Sequence, residues 1–169
     1  MATPIGNAAD VTLRALDVLA RADALAAEDT RQTRKLMEIH GIPLAGRPMI
    51  AYNDRNGAER RPKIIGWLRE GKSVAYCSDA GTPLVADPGY RLAEAAIAEG
   101  LALTAIPGAS AVLTALSLAG LPTDRFLFAG FLPAKAGARK AELAELAAVP
   151  ATLVFYESPR RLAAALADM

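Results

Sequence analysis

The sequence predicts an α/β fold with a mainly parallel sheet, on three observations. Four segments with helical apolar spacing each stop at a glycine, namely Gly41, Gly71, Gly100 and Gly120. Each of those glycines is followed by a short apolar run of strand character, the alternation that builds parallel sheets. Around "LPTDR", residues 121–125, the pattern resets. That divides the chain into an N-terminal α/β lobe over residues 1–121 and the beginning of a second α/β lobe over residues 122–169, which is incomplete at about two strands and two helices.

In chain order, "VTLRALDVLARA" places Leu13, Leu16 and Leu19 at helical spacing, with Asp10 as the expected N-cap. "ALAA" is a short apolar strand, and "TRQTRKLMEIHG" a helix closed by Gly41. "MIAY" reads as a strand and "RRPKIIGWLREG" as a helix closed by Gly71. "SVAYC" is a strand by its β-branched and aromatic content. Pro88 suits the first position of the helix "PGYRLAEAAIAEG". "LALTAI" then reads as a strand, "PGAS" as a turn and "AVLTALSLAG" as a helix. In the second lobe "FLFAGFLP" and "ATLVFY" are strands, and "RKAELAELAAV" and "SPRRLAAALADM" are helices.

Composition sets bounds on function. With 53% apolar and 22% charged residues among 169, the chain suits a packed globular protein. No apolar run approaches the ~18 residues that cross a bilayer, so no membrane association is expected. The lone Cys77 has no internal disulfide partner, which points to a reducing cytoplasm. Net charge is only +1, yet residues 47–72 hold seven cations (Arg47, Arg55, Arg60, Arg61, Lys63, Arg69, Lys72) against three acids. Arg31, Arg34 and Lys35 lie just upstream. A solvated helix face and a phosphate-contacting surface both fit such charge.

The loops that follow strands carry the chemistry, because in a parallel sheet they all emerge at the carboxyl edge, where ligands bind. Those loops are "TPIGN", "EDTR", "SDAGTPLVADPG", "PGAS", "AGFLP" and "YESP". Gly81 permits close backbone approach, and Pro83 stiffens its segment. Ser110 follows Gly108 at a helix start, either as a cap or beside N–H groups open to a ligand. Glu28 and Asp29 end a strand and suit a general base or a hold on a substrate hydroxyl. Capping by Asp29 or, preferentially, Thr30, and a Glu28–Arg31 pair, fit equally. His40 suits a helix C-terminus, and Cys77 a buried position. No metal-ligand spacing occurs, nor a G-x-x-x-x-G-K-[ST], G-x-G-x-x-G or G-x-S-x-G motif.

Taken together and in order, "TPIGN", "AEDTR", "SDAGTPLVADPGY", "PGAS", "LAGLPTDRFLFAGFLP" and "FYESPRRL" resemble the bacterial 2′-O-ribose cytidine methyltransferases of small-subunit ribosomal RNA. These form part of the tetrapyrrole-methylase superfamily (class III methyltransferases), and the resemblance covers nearly the whole chain. It implies a tetrapyrrole-methylase-like α/β enzyme of two lobes that uses S-adenosylmethionine to methylate a cytidine ribose in 16S rRNA of the small ribosomal subunit, acting as a homodimer. Carried over by motif, Pro4, Asp79, Ala80, Gly81, Thr82, Val85, Ser110, Ala111 and Glu157 would bind the cofactor, and no metal is implied. The family has an apolar strand before "TPIGN" and further strands in the second lobe, so the chain is expected to be cut at both ends. In "AYNDRNGAE" the family often has His where this sequence has Arg55.

For the reaction, Glu28 and Asp29 are the candidate bases, with Asn7 and Arg31 orienting the substrate. The basic stretches are the expected RNA-facing surface. Two other functions are compatible with the resemblance: methylation of a tetrapyrrole or other small molecule, and a truncated, non-catalytic RNA-binding fragment.

Overall fold

A computed structural model describes residues 1–169. The chain divides into two compact units, Met1–Ala111 and Val112–Met169. This division and the sequence-expected boundary after residue 121 differ by one helix.

The first unit is built on three parallel strands, β1 (Ala24–Ala27), β2 (Met49–Ala51) and β3 (Val74–Cys77), in the order β2-β1-β3. The central strand "ALAA" is buried along its whole length, because both of its faces are covered. Its period-two alternation divides the core. Leu25 packs on one face with Leu19 of α1 (Leu13–Arg21) and Met37 of α2 (Thr30–Ile39), beside Ala75 and Cys77. Ala26 packs on the other with Ile64 and Ile65 of α3 (Gly57–Arg69) and Leu92 and Ala96 of α4 (Tyr90–Ala98). Small residues in β1 let helices approach closely on both sides, and the register pairs Ala27 with Cys77. The two loops leaving those residues therefore start side by side.

In the second unit β4 (Phe126–Phe131) and β5 (Thr152–Tyr156) pair in parallel, with α5 (Ala111–Ala119), α6 (Ala136–Leu146) and α7 (Leu162–Asp168). Tyr156 meets the rings of Phe128 and Phe131 edge-on at 4.7 and 5.6 Å. The buried Arg139 of α6 pairs with Asp168 of α7, joining the two helices.

Four local expectations are corrected. Asp10 does not cap α1: it lies in a short 3-10 turn, Ala8–Asp10, and the Thr12 hydroxyl takes the Ala15 N–H instead. Asp29, not Thr30, caps α2. Pro88 is not the first residue of α4; Gly89, at φ +122°, precedes the helix, and the Pro88 carbonyl accepts the Tyr76 hydroxyl at 2.8 Å. Residues 101–106 form no strand. Their apolar composition suits one, but along this segment only Ile106 O takes a backbone bond from a distant segment, from Ala2 N–H at 3.0 Å. A strand needs a ladder, and one bond does not make it.

Candidate functional site

A cavity of about 500 Å³ opens at the carboxyl ends of β1, β2 and β3. Its walls come from all three strand-to-helix loops: Glu28, Asp29, Thr30 and Arg31 after β1, Asn53, Asp54 and Arg55 after β2, and Asp79 and Pro88 after β3. Sequence reasoning places Glu28, Asp29, Arg31 and Asp79 here. It missed Asn53, Asp54 and Pro88 as cavity walls, and expected Arg55 only within the basic RNA-facing stretch. The signal is present in the sequence, since "MIAY" has strand character and the loop after it belongs at the same sheet edge.

The loops after β1 and β3 are clasped. Glu28 N–H donates to Cys77 O at 3.0 Å, continuing the ladder by one residue. The Asp79 N–H then donates to Glu28 Oε2 at 3.1 Å, and the Asp29 N–H donates to Asp79 Oδ1 at 2.9 Å. From the third loop, Asn53 Nδ2 reaches Glu28 O at 3.4 Å. Asn53 Oδ1 accepts the Arg55 N–H at 3.1 Å in an Asx turn, and Asn56 Oδ1 reaches back to accept the Asn53 N–H at 2.9 Å, so the backbone that presents Arg55 is held from both sides.

The two adjacent carboxylates are in different electrostatic states. Burial pushes the Glu28 carboxyl above its ordinary range, and the charges of Asp79, Asp54 and Asp29 add to this against the opposing Asp79 N–H. Asp29 goes the other way. The Arg31 side chain and main-chain N–H hold it down to about 2. The expected Glu28–Arg31 pair is therefore replaced by an Asp29–Arg31 pair.

The "SDAGTP" segment is anchored on both sides. Gly81, at φ +82°, exchanges N–H···O bonds with Thr3 at 2.9 and 3.0 Å. Ser78 Oγ donates to Gly81 O at 2.8 Å, and Thr82 Oγ1 to Ala109 O at 3.1 Å. Val85 N–H turns back to Thr82 O. This brings Ala80, Gly81, Thr82 and Ala109 together beside the N-terminal segment that carries Pro4, with Ser110 just ahead of α5 and Ala111 at its start.

Other residues take structural roles. Asn7 is not a cavity wall; its Oδ1 accepts Ala9 N–H at 3.1 Å and caps the 3-10 turn. Glu157, after β5 in the second unit, accepts Ser158 N–H and Arg161 Nη2 at 2.7 Å each. Burial opposes its ionisation, but Arg161 and the Ser158 N–H outweigh it and hold the carboxyl low. His40 ends α2 with Nε2 3.1 Å from Ala8 O. Cys77 is buried and its thiol is pushed up to about 11, chiefly by that burial. Arg47, expected on an RNA-facing surface, instead spends its guanidinium on the carbonyls of Leu44, Leu19, Ala22 and Pro43.

Residues 2–169 match the Tetrapyrrole (Corrin/Porphyrin) Methylases. The chain belongs to this family. Among tetrapyrrole methylases it is 57% identical, over all 169 residues, to the ribosomal RNA small subunit methyltransferase I of Mesorhizobium japonicum, of which it covers 56%. The protein of the same name from Micromonospora olivasterospora is 48% identical over 167 residues, with 99% of this chain and 52% of that protein aligned. The chain thus spans about half the length of the curated relatives it matches. Of solved structures, a conserved hypothetical protein from Aeropyrum pernix K1 superposes with a TM-score of 0.66 at 25% identity, over 95% of this chain and 57% of that one. The tetrapyrrole-methylase fold expected from the loop motifs is therefore established, with its parallel sheet and carboxyl-edge cavity. No helix is long and apolar enough to cross a membrane.

Proposed function

We propose that this chain is the part of a methyltransferase that carries the reacting carboxylate for S-adenosylmethionine-dependent 2′-O-methylation of a cytidine ribose in 16S rRNA. The observation that carries the reading is Glu28, a half-buried carboxylate of raised proton affinity on the wall of a carboxyl-edge cavity. The chain around it is about half identical to proteins named for small-subunit ribosomal RNA methylation.

The "SDAGTP" segment suits the cofactor. Its small residues leave the main chain accessible, Gly81 takes a left-handed conformation that side chains resist, and hydrogen bonds to Thr3 and Ala109 fix it before any ligand arrives. Pro4, Ala80, Gly81, Thr82, Val85, Ser110 and Ala111 would form that side of the site; Glu157 braces its own loop through Arg161. When bound, S-adenosylmethionine supplies an electrophilic methyl group.

The remaining chemistry belongs to the chain. A ribose hydroxyl becomes an adequate nucleophile only as its proton leaves, and Glu28 is the acceptor best matched to that task. Asp29 is unsuited to it, because Arg31 holds the carboxylate in its weakly basic form. Its role is to cap α2 and fix Arg31 at the cavity wall. Arg55, with no acidic partner, is placed to meet a substrate phosphate. Asn7, spent on its turn, is left without a part.

The substrate is favoured over a free tetrapyrrole by the identity to the ribosomal RNA enzymes along the entire chain. Transfer of a labelled methyl from S-adenosylmethionine to isolated small subunits, by this chain and by a version extended at both ends, tests the reading. Incorporation at a cytidine 2′-oxygen is expected. Transfer to free porphyrinoids alone would replace it, and binding of subunits with no transfer by either version would make the protein an RNA-binding module.

A further inference from the structure

The clasp between the loops after β1 and β3 has a consequence for Asp79, the residue whose motif points to cofactor binding. We infer that Asp79 is a positioning residue for Glu28, locking the reacting carboxylate and the Asp29 backbone into one geometry, rather than a contact to the cofactor. This rests on the reading of Glu28 as proton acceptor.

The geometry is reciprocal. Each loop gives one main-chain N–H to the carboxylate of the other: Asp79 N–H to Glu28 Oε2 at 3.1 Å, and Asp29 N–H to Asp79 Oδ1 at 2.9 Å. With the bond from Glu28 N–H to Cys77 O at 3.0 Å, three hydrogen bonds close a ring across neighbouring strand ends. The parallel register that pairs Ala27 with Cys77 makes this possible, since it sets residues 28–29 beside 78–79. The ring ties down Oε2 and leaves Oε1 as the Glu28 oxygen with no protein donor. A long, flexible side chain thus acquires a defined reacting atom.

Asp79 acts through two separable properties. Its Oδ1 is the acceptor that anchors the Asp29 N–H and hence the start of the β1 loop. Its negative charge, beside the half-buried Glu28, favours the protonated form of that neighbour and makes Glu28 a stronger base. Asp79→Asn keeps an acceptor and removes the charge. Asp79→Ala removes both while leaving the main-chain N–H to Glu28 in place.

The test reads Glu28 directly. The chain is labelled with carboxyl-¹³C glutamate, its carboxyl resonances are titrated, and the Glu28 signal is identified by its loss in Glu28→Gln. Both Asp79 variants are expected to move the Glu28 midpoint to lower pH. S-adenosylmethionine affinity by calorimetry should stay at the wild-type value in both. In methyl transfer, Asp79→Asn should shift the acid limb downward and lower the plateau kcat by only about 2–5-fold, the loss a weaker base entails, whereas Asp79→Ala should lose roughly 10–100-fold in kcat at unchanged KM, the cost of a misplaced reacting group. An unmoved Glu28 midpoint overturns the inference. So does cofactor binding weakened in step with activity, which would make Asp79 a cofactor contact. If wild-type protein transfers no methyl group while the Glu28 midpoint still shifts, the proposed reaction falls and the clasp stands.

Discussion

Asp29 takes the main-chain N–H of Arg31 at 2.8 Å and its Nε–H at 3.0 Å, while Glu28, one residue earlier, has no cationic partner. Neighbouring carboxylates in one cavity wall are thereby divided into a salt-bridged anion and a carboxylate of raised proton affinity, the one proposed as base. Glu28→Gln is expected to reduce kcat by about 10²–10⁴-fold with cofactor affinity intact. Because the base acts in its deprotonated form, wild-type kcat/KM should rise with pH about a midpoint above the ordinary glutamate value, and the variant should lose that limb. Asp29→Asn should instead cost stability. The depressed Asp29 pKa contributes above its unfolded value of 3.8 and is lost as pH falls through about 2. Urea midpoints of the two proteins should therefore differ at pH 7 and converge near pH 2.

Arg47 is expected to matter for folding and not for RNA. Its fork satisfies four main-chain carbonyls, of which Leu19 lies in the last turn of α1 and Ala22 caps that helix. Those groups have no helical donor, so Arg47→Ala should cost about 2–3 kcal/mol in denaturant unfolding. Arg47→Lys should recover little of it, since an ammonium cannot reproduce the fork.

The cations left for phosphate are fewer than the sequence suggests. Arg69 is paired with Glu99 and Lys72 with Glu70; Arg61 donates to the Tyr52 hydroxyl; Lys63 lies over Trp67. Arg34 and Lys35 on α2 and Arg55 at the cavity carry no such partner. Replacing any one of these three with Ala should lower the slope of log binding constant against log salt by about 0.7–0.9, measured with small subunits. Arg47→Ala should leave that slope unchanged.

What the sequence made legible was local. Helix stops at glycine and the apolar "ALAA" identify the first unit's layers, since each depends on neighbours along the chain. The segment 101–106 forms no strand despite its apolar composition, because strand identity depends on a hydrogen-bonding neighbour about which composition carries no information. The candidate site was half legible. Residue type and loop position picked out Glu28, Asp29, Arg31 and Asp79. Which carboxylate is left without a cation, and so suits the proposed base, depends on a register joining residues 50 apart in sequence and on the choice Arg31 makes between two acids. No spacing rule contains either.

Gly89 is expected to tolerate no side chain. It enters α4 at φ +122°, and a Cβ there would stand 2.6 Å from Tyr76 Cε1. That ring is itself fixed by its hydroxyl bond to Pro88 O and its edge contact with Tyr52. Gly89→Ala should destabilise by about 2 kcal/mol or more, from backbone strain and overpacking together. Adding Tyr76→Phe should not rescue it, because the clash is with a ring carbon and not with the hydroxyl.

Asp87 lies in the same loop, flanked by Ala86 at φ +59° and near Leu84 at φ +70°, and burial with the charges of Glu28 and Asp79 pushes its carboxyl up to about 6. A raised carboxyl pKa costs the folded state. The penalty is absent below the unfolded value of 3.8, grows as pH rises, and is complete above about 6. Partial exposure screens these charges, which holds the cost to about 1 kcal/mol. Asp87→Asn should therefore raise the melting temperature by about 2–4 °C at pH 7.5 and by nothing near pH 3.5. A gain that persisted at pH 3.5 would show that the carboxylate's charge is not its cause.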